Sequence, residues 1–125
     1  MNQDMLSKQY KAQAMSNMTQ GELLVMLFEG LEKSLKKSKI ALENGLTDVF
    51  DSEVQRAMKI LNYLTKILDM KYEISHNLFR IYSHFNQQLA YALAGRDAKP
   101  IDEILPDVSD FKRVWEQAAK KAKTE

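Results

Sequence analysis

At 125 residues, the chain has the length of one domain. It is 45% hydrophobic and 28% charged, with a net charge of +1, no cysteine and no apolar run longer than residues 23–28. These features exclude a disulfide scaffold, a Cys-based metal site, a membrane span and any general electrostatic pull toward nucleic acid or a membrane surface.

The polar start MNQDMLSKQYKAQ carries no signal-peptide core, which points to the cytoplasm. No strand signal or internal repeat follows, and the few Gly and Pro sit where turns are expected. A first short helix is expected over 4–14, with Met5, Leu6, Tyr10 and Ala14 as a thin stripe that is marginal without packing. Thr19-Gln20-Gly21-Glu22 is a capping box that opens a second helix. On it Leu23, Leu24, Leu27, Leu31, Leu35 and Leu42 share one face. The small residues Gly30, Ser34, Ser38 and Ala41 join that face and let a neighbour come close, and Asn44-Gly45 ends the helix.

A third helix is expected to start between 47 and 52. Its stripe runs through Phe50, Val54, Ala57, Met58, Leu61, Leu64, Leu68 and Tyr72. The fourth holds NLFRIYSHFNQQLAYAL (77–93) and ends near Gly95. Leu78, Ile81, Tyr82, Phe85, Leu89 and Leu93 form its core face. The break before it falls within 69–75, with Ser75 as candidate cap. Both prolines lie in a linker over 96–106, expected to hold one helical turn at 101–105. A last helix starts after Asp107 or Ser109 and buries Val108, Phe111, Val114, Trp115, Ala118 and Ala122. Its lysine-rich end suits the negative pole of the helix dipole. The expected fold is all-α: an antiparallel up-and-down four-helix bundle with a short N-terminal helix as cap and a C-terminal helix. Residues 1–18 read as an N-terminal cap segment and 19–125 as the bundle, one domain in all.

Catalytic chemistry finds little support. Glu73-Ile74-Ser75-His76 is a Glu-x-x-His, but di-iron bundles need two copies and two further Glu. His84 has Ile81 where a second copy would place Glu. Both histidines therefore read as surface or helix-end residues. No phosphate loop or nucleophile motif occurs. Lys33, Lys36, Lys37 and Lys39 are interleaved with Glu29, Glu32 and Glu43 and read as a solvated face. No catalytic residue, metal or cofactor is expected.

The informative anomaly is surplus apolar surface. Ile60, Tyr63 and Ile67 form a second stripe on the third helix, off its core face. Val25, Met26, Phe28 and Ile40 lie off the main face of the second helix. Phe79 sits at the edge of the fourth helix's stripe, and Tyr91 points away from it. The short terminal helices could cover some of these residues. The whole set exceeds what they can cover, and a surplus of this size indicates a protein partner, an amphipathic helix laid in a groove being the obvious mode.

Five segments in order resemble the flagellar secretion chaperone FliS family. Tyr10 stands ten residues before Gln20, where the family has Tyr and then a Ser-Pro or Thr-Pro pair. TQGELLVMLFEGLEKSL is similar to the family's Leu-rich opening of the long helix. ILNYLTKILD, EISHNLFRIYSHFNQQL and DFKRVWEQA are similar to three later segments, so the likeness spans about 10–118. Gln20 replaces the usual Pro, Phe28 the usual Tyr, and the third-to-fourth turn lacks the family's Gly.

The resemblance implies a cytoplasmic chaperone without catalytic activity. It would hold the disordered C-terminal segment of flagellin and prevent premature polymerisation before export. Another flagellar regulator or co-chaperone is a further candidate partner; nucleic acid and membrane are not. Ile60, Tyr63, Ile67 and Phe79 are expected to line the flagellin grooves, with Met26 and Leu64 counted alongside. Leu6 and Tyr10 are expected to cover part of that surface in the free protein. The competing reading is a helical adaptor or regulatory module that docks an unrelated amphipathic helix.

Overall fold

The computed structural model describes residues 18–124, with side chains through 121. Four helices account for most of it: α1 (Gln20–Glu43), α2 (Thr47–Lys66), α3 (Glu73–Gly95) and α4 (Lys99–Thr124). No strand occurs among the described residues. The helix expected over 4–14, with Leu6 and Tyr10, lies outside them.

Local chemistry sets the helix ends. The Thr19 hydroxyl accepts the Glu22 N–H at 3.1 Å and donates to the Glu22 carboxylate. It thereby satisfies one of the free amides of the first turn of α1. At the other end of α1, the Gly45 N–H bonds to the Leu42 carbonyl and the Leu46 N–H to the Ala41 carbonyl. This is a Schellman closure, and Gly45 takes the φ of +72° that it requires.

The α2–α3 connection corrects two expectations. α2 stops at Lys66, and Tyr72 lies exposed in the turn instead of continuing the core stripe. Ser75 is not the cap: it is buried in the first turn of α3, whose N-cap is Tyr72. Asp69 does the work expected of Gly or Pro. Its carboxylate accepts the Lys71 N–H and its carbonyl the Tyr72 N–H, which folds the chain back.

The largest correction concerns residues 96–106. They are not a linker; α4 begins at Lys99 and runs on through Pro106. Pro106 lacks the N–H that would reach the Asp102 carbonyl, at a cost of about 3 kcal/mol. Ile101, Ile104 and Val108 are all fully buried on the face that spans the proline. Each contributes roughly 1.5–3 kcal/mol by burial, so together they outweigh the proline. The preceding turn closes on Arg96, a non-glycine residue at φ 46°. Its guanidinium is fixed by the Asp51 carboxylate of α2 at 2.9 Å.

α1 packs on α2 and α4, α2 on α3, and α3 on α4, a closed ring of neighbours. The connections 44–46, 67–72 and 96–98 are short, which makes successive helices antiparallel. Because the two seams of α1 are the most extensive of the ring, it needs a wider apolar face than one stripe. Phe28, expected off that face, is therefore fully buried. Its ring stacks on Phe111 of α4 with centroids 5.6 Å apart and lies 6.2 Å from Tyr82 of α3.

Candidate functional site

The seams between the helices differ in kind. At α1–α4 the Glu32 carboxylate is almost fully buried and receives the Lys112 ammonium at 2.8 Å and the Ser109 hydroxyl, with Lys36 at 3.6 Å. Burial pushes its pKa up. The hydrogen bonds from Lys112 and Ser109, with the charges of Lys112 and Lys36, outweigh burial and hold it below the usual glutamate value. The same hydrogen bond, foremost, raises the Lys112 pKa. Lys39 pairs with Asp102 on the same seam. At α2–α3 the Asn86 amide donates to Asn62 at 2.8 Å.

The α3–α4 seam has no such tie: among the described residues, side-chain polar bonds of α3 and α4 run within each helix or to other elements. It is also the sparsest of the four contacts. The helices stand apart enough to leave a groove of about 530 Å³, lined by Arg80, Ile81, His84 and Phe85 of α3 and Asp107, Asp110, Phe111 and Val114 of α4. Phe85 and Phe111 meet edge to face at 6.3 Å and form its floor. Val114 is 55% exposed beside it. The lining is mostly apolar with polar groups at the rim, the usual make-up of a binding groove.

Two further hollows flank the helix ends. A cleft of about 340 Å³ at the end where α2 passes to α3 is lined by Leu24, Ile67, Leu68, Leu78, Tyr82 and Trp115, among others. Burial pushes the Tyr82 phenol up to about 12, so it stays a neutral donor. The Trp115 indole N–H is buried without a partner among the described residues. A hollow of about 360 Å³ between α1 and α4 includes Val25, Met26, Glu116 and Ala119.

The expected binding residues do not form one site. Ile67 lines the end cleft, and Met26 belongs to the separate α1–α4 hollow. Leu64 also borders the cleft but is only 1% exposed and belongs to the core. Its inward stripe, shared with Leu61, decides this. Ile60 is half-buried against the core, over Gly30 of α1, where an added Cβ would stand 3.4 Å from its Cδ1. Tyr63 and Phe79 are 41% and 44% exposed and line none of these three hollows. The surplus at Ile40 and Tyr91 is real, since both are exposed.

The reading from sequence missed the α3–α4 groove. From the sequence, Ile81 and Phe85 read as mostly core, and Phe111 and Val114 as one face of the last helix. The available signal was Val114, which stands about 100° from Trp115 and so at the stripe's edge. His84 is on the groove, and a His76 ring nitrogen lies 3.0 Å from the Met70 carbonyl oxygen in the α2–α3 turn. Among the described residues no cluster of three or more His, Cys, Asp or Glu could hold a metal, and no helix is long and apolar enough to cross a membrane.

The family model described as flagellar protein FliS matches residues 2–122. The flagellar secretion chaperone FliS of Bacillus subtilis (strain 168) is 27% identical over 109 residues, 87% of this chain and 82% of that protein. The flagellar secretion chaperone FliS of Salmonella typhimurium is 30% identical over 104 residues, 81% of this chain and 77% of that protein. The chain belongs to the FliS family of flagellar secretion chaperones.

Proposed function

We propose that this protein is a cytoplasmic chaperone, without catalytic activity, that holds the C-terminal segment of flagellin in apolar grooves and prevents its polymerisation before export. The observation that carries this reading is the α3–α4 groove: about 530 Å³, floored by aromatic rings, on a seam without polar ties. A disordered segment that folds on binding gives up roughly 2–5 kcal/mol in ordering and needs apolar surface in return. The groove and the exposed Phe79 on the same helix supply such surface. Leu6 and Tyr10 belong to a cap segment, residues 1–18, that covers part of the binding surface until flagellin displaces it. A second flagellar regulator or co-chaperone is a further partner in this reading.

Calorimetric titration with a peptide from the C-terminal end of the cognate flagellin, followed in parallel by circular dichroism, tests this. Saturable binding with a gain of helix and a negative heat-capacity change is expected. A folded protein that gives no heat and no added helix would leave a helical module for an unrelated partner.

A further inference from the structure

The two lips of the α3–α4 groove carry opposite charges that do not meet. Arg80 stands on the α3 lip, with His84 one turn further along. Asp107 and Asp110 stand on the α4 lip. Asp110 is already paired with Arg113 on its own helix, and among the described residues the Arg80 guanidinium donates to Asn77 alone, at 3.3 Å. Asp107 has no ion pair among the described residues. The Phe85–Phe111 contact fixes the register of the antiparallel pair. Arg80 precedes Phe85 and Asp107 precedes Phe111, so the two charges lie in opposite directions from that contact. At the helical rise, the five residues from Arg80 to Phe85 and the four from Asp107 to Phe111 separate them by roughly 13–14 Å along the bundle axis, on opposite lips. Separation of that size explains why no salt bridge closes the groove.

We infer that Arg80 and Asp107 form a two-point charge clamp that selects, and sets the direction of, the helix that docks in this groove. The occupant is a short amphipathic helix with its apolar stripe on Phe85 and Phe111. It carries an acid on one flank of the stripe, opposite Arg80, and a base about nine residues (two and a half turns) along on the other flank, opposite Asp107. A helix laid in end for end places these charges at the wrong lips. Exchanging the acid and the base therefore turns the helix around. This rests on the groove being the client site and adds the chemistry by which it chooses a segment and its direction.

The test uses the full-length protein, whose lack of cysteine makes single-cysteine trapping clean. Gln117→Cys marks the Arg80 end and Gln88→Cys the Asp107 end. The probes are two synthetic helical peptides with one apolar stripe and an N-terminal cysteine. One carries Glu near its N-terminus on one flank of the stripe and Lys about nine residues on, on the other flank, and the other has these exchanged. The first is expected to form its disulfide at Gln117→Cys and the second at Gln88→Cys, each about five- to tenfold over the other position, as two exposed ion pairs allow. Adding Arg80→Glu with Asp107→Lys, both at exposed positions, should invert the preference. Trapping that ignores charge order would overturn the clamp and leave the groove reading standing. Failure of both peptides to bind, with the folded protein confirmed by circular dichroism, would overturn the groove reading itself and the clamp with it.

Discussion

The α1–α4 and α3–α4 seams join to the same helix and are built oppositely. On the first, a buried carboxylate, a lysine and a serine lock the helices over Phe28. On the second, aromatic rings meet edge to face, no polar tie crosses among the described residues, and a groove stays open. The difference teaches how one small bundle can be both stable and sticky. Stability is concentrated along α1, whose two seams are the most extensive of the ring. The apolar surface left on the other side does not have to hold the fold together.

Breaking the closed seam should have the largest effect. Phe28→Ala removes a fully buried ring of α1 that meets rings of α3 and α4 and should cost about 3–5 kcal/mol in urea unfolding. A loss below about 1 kcal/mol would mean that α1 is not the anchor.

Glu32→Gln should cost less, about 1–2 kcal/mol near neutral pH, because it weakens charge-assisted hydrogen bonds. Its pH dependence has a definite sign. The folded Glu32 pKa lies below the ordinary value of 4.5, so its contribution is full above that value and fades as pH falls through the folded pKa. The stability gap between wild type and Glu32→Gln should be constant from pH 7 to about 5 and should close at lower pH. A gap that grows on acidification would contradict the assignment.

The smallest effect sharpens the account of α1. Gly30→Ala places a methyl 3.4 Å from the flexible end of Ile60. Helix propensity then favours alanine by up to about 1 kcal/mol, so the variant should be as stable as wild type or slightly more stable. A clear loss in thermal unfolding would show that Ile60 has no room to shift.

Much of the bundle could be read from the sequence because helical stripes report burial directly. Leu31, Leu35, Val54, Ala57, Leu61 and Leu89 all lie where their spacing puts them. The start of α4 was misread because Pro106 carried more weight than the Ile101, Ile104, Val108 spacing, which continues one face through it. A single stripe on α1 leaves Phe28 outside, because that picture does not allow for the extent of the two α1 seams, where Phe28 meets Phe111 and Tyr82. The Asp69 turn was hard to place because side-chain capping of a turn needs no Gly or Pro. The groove was the least legible feature. It depends on how far apart α3 and α4 stand, and no periodicity within one helix encodes that distance. Core residues such as Phe85 and Phe111 therefore floor a groove while counting as buried or half-buried.

The contrast between the two seams can be tested with a pair of matched substitutions. Val114 and Ile40 are almost equally exposed, at 55% and 58%, but Val114 borders the α3–α4 groove and Ile40 lies on α1. Val114→Asp and Ile40→Asp should both leave stability within about 0.5 kcal/mol of wild type. The dissociation constant of each for the C-terminal flagellin peptide is the measurement to make. The expected result is at least a tenfold loss for Val114→Asp and no change for Ile40→Asp. Equal losses, or a loss confined to Ile40→Asp, would place the client elsewhere than the open seam.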